Sequence, residues 1–444
     1  MADPLPTTAT ARSIALQFEP DTTLLAGSFL RLLTSPSASA TARTVQGTDP
    51  TGASATARGL GAGYSRYYEG LVDEAFFNSK NLSIASGGGQ IDGNAVASAF
   101  ASGRGDTSAD ALATNIGLAN LNYFDRYGGA LLIGSTATPF TASATAGSGS
   151  VLGPVAGSSP TSTLNATARV RGLEGSRSNI DPAFSFYGQP NAVVAARAEL
   201  LQADSGKLLG TASADAKGIE RYEIKAVPFG NGDGTATITG DAAARLFVPG
   251  ALTAGSDQAS LNASAIGIDA SHIFGAPTLN TTVSGKGLAT ADVASNAGIQ
   301  LDQLRGIGIR DSLVFTNQGN DVVRGFGGFS GGALPLAATA PASARDSAGI
   351  DATGIYTGLG NDIIFGKILN EVEADIDGDG DGLLEESVFL DRSARDGSIG
   401  GFDGIRNSTA NTGIGNDLIA GASSGSHLYT CLLYTSDAAD DSLR

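Results

Sequence analysis

The sequence predicts an all-β protein, a parallel β-solenoid (β-helix or β-roll-like) of about eight irregular coils with loop insertions. Three observations lead there. The first is a gapless repeat: GIRDSLVFTNQGNDVVRG at 308–325, GIDATGIYTGLGNDIIFG at 349–366 and GIRNSTANTGIGNDLIAG at 404–421. They share G-I-x-x-[ST]-x-x-x-T-x-x-G-N-D-x-[VI]-x-G. The second is strict alternation of small residues ahead of most copies, as in Ala55-Thr56-Ala57, Ala166-Thr167-Ala168 and Ala263-Ser264-Ala265. Period-2 alternation is the strand signal. The third is composition: 62 of 444 residues are glycine, about twice the usual share of roughly 7%. Apolar windows of helical period are scarce, and frequent glycine weakens helices further.

Taken in chain order, residues 1–58 read as a strand-rich cap or degenerate first coil, and 59–426 as the repeat array. Gly-Ile or Gly-Leu unit starts fall at 59, 117, 172, 218, 267, 308, 349 and 404, spaced 41 to 58 residues apart. GLANLNYFDRYGGALLIG at 117–134 keeps the length of the unit, while 218–240 is lengthened and 267–285 lacks Asn-Asp. Each unit is expected to hold about three short strands: the A-x-A stretch, the G-I-x-x-[ST]-x-[VI] stretch and the D-x-[VI]-x-G stretch. In the last of these, Val323, Ile364 and Ile419 are expected to face inward. An acidic insertion occupies 367–403.

Residues 427–444 read as a non-native tail. Cys431 through Asp440 match, codon by codon, the translation of a sequencing-library adapter, and such scars are set aside in fold reasoning. Cys431 is the only cysteine of the chain. A disulfide framework or a thiolate zinc site is therefore excluded.

The charge is −17, from 27 Lys+Arg against 44 Asp+Glu. That balance argues against nucleic acid, whose binding rests on Lys and Arg at phosphates. No apolar run is long enough for a membrane-spanning helix. No G-x-S-x-G elbow, H-E-x-x-H or P-loop occurs. His272 falls in a strand-like stretch, and the Arg104-Gly105-Asp106 triplet stands at the level chance gives. The chain is therefore expected to be non-catalytic.

The acidic residues gather at two kinds of place. Three turns carry Gly319-Asn320-Asp321, Gly360-Asn361-Asp362 and Gly415-Asn416-Asp417. A parallel solenoid stacks equivalent turns about 4.8 Å apart, so stacked carboxylates repel unless a hard cation shares their oxygens. Structural Asn/Asp turns without metal are the alternative. The second place is DIDGDGDGLLEE at 375–386, where Asp375, Asp377, Asp379 and Glu386 take positions 1, 3, 5 and 12 of an EF-hand-like loop, with Gly380 at 6 and Asp381 at 7; a start at Asp377 instead puts Gly382 at 6 and Leu384 at 8 but Val388 at 12. A solvated acidic turn is the alternative there.

At the Gly-Asn-Asp turns the chain resembles the RTX (haemolysin-type) calcium-binding repeat family, whose nonapeptide is G-G-x-G-x-D-x-U-x. TGLGNDIIF at 357–365 and TGIGNDLIA at 412–420 match it except at the first glycine, and TNQGNDVVR at 316–324 also has Asn317 at the second. The long period sets it apart and looks like a variant of large cyanobacterial-type surface proteins. The resemblance implies calcium (Ca2+) as cofactor at these turns. It also implies an extracellular or cell-surface location, reached by type I secretion with a C-terminal signal missing from this fragment. MADPLPTTATARSIALQF at the start does not read as a secretory signal. The expected function is a calcium-binding structural or adhesive module, with cell-surface polysaccharide or neighbouring surface proteins as partners. The rivals are a polysaccharide lyase or epimerase on a parallel β-helix and the repeat region of a secreted toxin.

Overall fold

A computed structural model describes residues 8–18, 22–25, 29–43, 49–62, 81–86, 88–117, 120–125, 131–134, 138–150, 163–175, 185–201, 209–226, 235–248, 258–276, 280–293, 299–330, 345–369, 402–422 and 433–435. Among them every regular element is a strand. The protein is a parallel β-solenoid. One coil shows its plan: a long strand Gln258–Asp269, a corner, the short strand His272–Phe274, a turn, and a second long strand Thr281–Val293.

Repetition of that coil stacks three sheets. The first sheet holds nine long strands, from Thr8–Phe18 to Phe402–Arg406. The second holds six three-residue strands, from Ser185–Tyr187 to Thr409–Asn411, and the third holds twelve strands ending at Asp417–Ala422 and Leu433–Thr435. In the early coils a three-stranded sheet of Thr22–Leu25, Asn81–Ser86 and Asn120–Asp125 takes the place of the short strands. Among the described residues all pairing is parallel except Leu433–Thr435, which runs antiparallel on Asp417–Ala422.

The A-x-A stretch and the Gly-Ile stretch prove to be one strand, not two. Ala263-Ser264-Ala265 runs without a break through Gly267-Ile268. The strand breaks only at the next residue pair, where the corner residue takes the left-handed conformation: Arg221, Ala270, Asp311, Ala352 and Asn407 have φ of 57°, 48°, 48°, 48° and 49°. Alternation of small residues cannot signal this break, because the corner is fixed by the stacked coils and not by a local turn former. The first strand, Thr8–Phe18, lies ahead of the first Gly-Leu start, and its Leu16 pairs with Leu60. In the 117–134 unit the register sits two residues earlier than the Gly117-Leu118 pair suggests. Leu173 pairs with Ile116, so buried Asn115 replaces the glycine of that column. Residues 51–62 form one strand across position 59.

Among the described residues the buried apolar side chains form two large lobes and a small third cluster of Ile266, Ile307 and Ala348. Between the first and third sheets lies a lobe built mainly of alanine, with Ala111, Ala168, Ala214, Ala263 and Ala289 among its members and some Leu and Val between them. Sheets faced with larger side chains pack about 10 Å apart, whereas alanine lets these approach more closely. The second lobe lies among all three sheets and is filled by larger residues, including Ile268, Ile309, Ile350, Ile273, Val314 and Ile355. Val323 and Ile364 are buried in this lobe as expected, and Ile419 is partly buried against it.

Two columns of glycine separate the lobes. A Cβ on Gly308 would sit 2.5 Å from the carbonyl oxygen of Gly349 and against the amide of Phe326. A Cβ on Gly325 would strike the same Gly349 carbonyl. Here backbone meets backbone, so the first and last glycines of the repeat are required by close approach.

Candidate functional site

The three Gly-Asn-Asp turns stack in register. Val322 pairs with Ile363 and Ile363 with Leu418, while Gln318, Leu359 and Ile414 form bridges just before the glycines. Gly358 and Gly413 hold positive φ of 89° and 75°, and Gly360 and Gly415 hold 151° and 156°, which glycine allows without a Cβ clash.

Asn and Asp side chains then stitch the coils in opposite directions. Each Asp reaches back: Asp321 Oδ1 accepts from Thr281 N at 2.6 Å, Asp362 Oδ1 from Asp321 N at 2.9 Å and Asp417 Oδ1 from Asp362 N at 3.0 Å. Each Asn accepts from the coil ahead: Asn280 Oδ1 from Asn320 N at 2.8 Å, Asn320 Oδ1 from Asn361 N at 2.9 Å and Asn361 Oδ1 from Asn416 N at 3.0 Å. The turn amides, which have no strand partner, are thus satisfied by side chains. Asn280 extends the ladder one coil beyond the three complete motifs.

The Asp column is buried, with Asp321 and Asp362 at 0% exposure and Asp417 at 2%. Burial pushes the carboxyls of Asp321 and Asp362 above the usual carboxylate range. Thr316 and the Thr281 amide draw Asp321 back down, as the Asp321 amide and Thr357 do for Asp362, while the next Asp in the column adds to the rise. In each of these two residues Oδ2 is buried and has no hydrogen-bond partner among the described residues. A hard cation takes about six to eight oxygens. The turns offer the orphaned Oδ2 atoms and glycine carbonyls, since each Oδ1 is already committed to an amide. Among the described residues no group of three or more His, Cys, Asp or Glu side chains converges in a way that could hold a metal. Asp375, Asp377, Asp379, Asp381 and Glu386 lie outside the described residues.

A second constellation lies at the corner ending each strand of the first sheet. The residue two after the repeat glycine carries charge in coil after coil: Glu174, Glu220, Asp269, Arg310, Asp351 and Arg406 stack in register. Asp269 is held by Arg310 through Nε at 2.8 Å and Nη2 at 2.9 Å, and by Lys217 at 2.7 Å. Glu220 meets Arg171 at 2.6 Å and Lys217 at 2.5 Å. Arg406 reaches Asp351 at 2.7 Å and Asp346 at 2.5 Å. Burial would raise the carboxyls of Glu220 and Asp269, but their cationic partners more than offset it and hold both below the usual range. Glu174 goes the other way: burial and the nearby Glu220 outweigh Arg171, Arg58 and Arg169, so its carboxyl is pushed up.

This column falls at a variable position of the motif, so the motif does not mark it. The signal is visible only when copies are read vertically, where acid and base alternate over the last four coils. The [ST] of the motif has a role of the same kind. Ser271, Ser312, Thr353 and Ser408 each donate to the carbonyl two residues back, at 2.9, 2.7, 2.8 and 2.7 Å. Ser271, Ser312 and Ser408 also accept the corner amide of the preceding coil. His272 stands at the start of a short strand of the second sheet, paired with Glu223 and Leu313.

No helix among the described residues is long and apolar enough to cross a membrane. Comparison with protein-family models, curated proteins and solved structures found no match.

Proposed function

We propose that the chain is a non-catalytic structural or adhesive repeat module of a secreted or cell-surface protein. In this reading its buried Asp column is neutralised by calcium. The observation that carries it is the doubly stitched Asp/Asn ladder, which joins each coil to the next through both side chains of the Asn-Asp pair. Glu220, Asp269 and Asp351 of the corner column are likewise tied to Arg and Lys. Calcium is supported by the orphaned Oδ2 atoms of Asp321 and Asp362. Bound there or at 375–386, it would supply positive charge that offsets repulsion between stacked carboxylates.

Two measurements test the two halves. Solution scattering on the purified chain should give an elongated rod, because a solenoid grows along one axis; a compact particle would remove the scaffold reading. Thermal melting with calcium and then with chelator should show a higher midpoint with the ion. That shift should shrink in Asp362→Asn. An identical melt with ion and chelator would remove calcium and leave the scaffold.

A further inference from the structure

A groove of about 320 Å³ runs along the outer face of the first sheet across four coils. Its floor is a column of neutral hydrogen-bonding side chains in register, Thr167, Ser213, Asn262 and Gln303. Beside it stand Arg169, Lys217, Arg305 and Arg310, with Asp215 the one carboxylate in the lining. The lining thus holds four cations and one carboxylate, and of the cations Lys217 and Arg310 pair with Asp269 and Arg305 with Asp346.

A backbone irregularity falls at the same place. The pairing of Gln258–Asp269 with Ile299–Arg310 slips between Leu261 and Asn262, where the partner jumps from Leu301 to Gln303. A bulge of this kind re-aims side chains. Here Gln303 joins the floor, where its amide, set so that both ends are satisfied, donates to Asn262 Oδ1 at 3.2 Å and accepts from Arg305 at 3.1 and 3.0 Å. The displaced Asp302 is exposed and taken up by Ser260.

We propose that this groove binds an acidic oligosaccharide, a chain of sugars bearing carboxylate or sulfate groups. The floor presents one donor-and-acceptor group per coil, at the strand spacing of about 4.8 Å. That repeat is comparable to the advance of a pyranose chain laid along the solenoid axis. Successive sugar hydroxyls would thus meet successive Thr, Ser, Asn and Gln groups. The cations stand on the side where acidic substituents would project. The internal pairs of Arg305 and Arg310 leave N–H groups over. A guanidinium carries five N–H groups, and the bonds of Arg310 to Asp269 use Nε and Nη2. Arg305 gives Nε to Asp346 at 3.0 Å and one N–H from each terminal nitrogen to Gln303, which leaves two. Pairing to carboxylates below the surface also fixes the side chains before a ligand arrives, which lowers the entropy cost of binding.

The inference is independent of calcium at the turns. Calorimetry with the full chain in chelator, using tetragalacturonate as probe, should show binding that weakens as salt rises. Arg305→Gln and Gln303→Ala should each weaken it at least tenfold, and Ser213→Trp should abolish it by filling the groove. Arg245→Gln, on the third sheet, should leave it unchanged. A neutral maltotetraose should give no heat. Circular dichroism and melting of each variant separate loss of the groove from loss of the fold. No heat at millimolar tetragalacturonate from a folded chain would overturn the groove and leave the scaffold reading standing. Equal binding of the neutral sugar, or equal loss in Arg245→Gln, would overturn it as well.

Discussion

At the residue scale the repeated Asp does two jobs that pull against each other. Its Oδ1 caps a buried amide, while its charge is disfavoured where it sits. Asp362→Ala removes the acceptor and leaves the Asp321 amide without a partner, at a cost of about 1–3 kcal/mol. Asp362→Asn keeps an acceptor and removes the charge, so in chelator at neutral pH it should be at least as stable as the parent. Urea titrations of the two variants check the contrast. The pH dependence has a definite sign. With folded values raised, Asp321 and Asp362 give stability that is present at low pH. It is lost as pH rises from the unfolded value of about 3.9 through the folded one. The corner carboxylates act oppositely: Glu220, Asp269 and Asp351 are held low, so their contribution exists above the unfolded value and is lost as pH falls through the folded one. Asp269→Asn should therefore cost about 3–5 kcal/mol near neutrality, the penalty for breaking a buried pair, and flatten the acid limb of a stability–pH curve.

At the scale of the element, the long strands are defined by what they must pass close to. Gly308→Ala would push the first sheet from the third, and repair would need backbone movement, so a loss of about 3 kcal/mol or more is expected. The corner offers the opposite case. Ala352 is exposed and left-handed at φ 48°, a conformation costing an L-residue roughly 1–2 kcal/mol. Glycine avoids that cost while giving up about 0.5–1 kcal/mol of chain entropy. Ala352→Gly should thus stabilise by up to about 1 kcal/mol, read as a rise in melting midpoint. Neither effect could be foreseen from strand propensity. The A-x-A alternation made the strand and its buried alanine face legible, but nothing local marks where the next coil's backbone will lie.

At the scale of the molecule, stability in a solenoid is a sum over neighbouring coils, and the charge column makes that sum depend on order. Excising residues 267–307, one 41-residue unit, would bring Glu220 beside Arg310 and keep acid next to base. Excising 308–348, also 41 residues, would set Asp269 beside Asp351, two like charges in direct register. The first deletion should melt cooperatively near the parent, and the second should melt at a clearly lower temperature in low salt. Equal melting of the two would show that the column does not specify coil order.

The class of fold, the period of the coil, the inward Ile and Val of the last strand and the stacking of the Gly-Asn-Asp turns are legible in the amino-acid sequence alone. These follow from local alternation and from repetition, which a single chain displays. What the stacked side chains do emerges only once the coils are folded against one another. Whether an Asp oxygen meets an amide, and whether a variable position becomes a column of ion pairs, depends on residues 41 to 55 positions away brought to one strand spacing. The same holds for the polar groove, whose floor takes one residue from each of four coils and whose shape turns on a single slip in register.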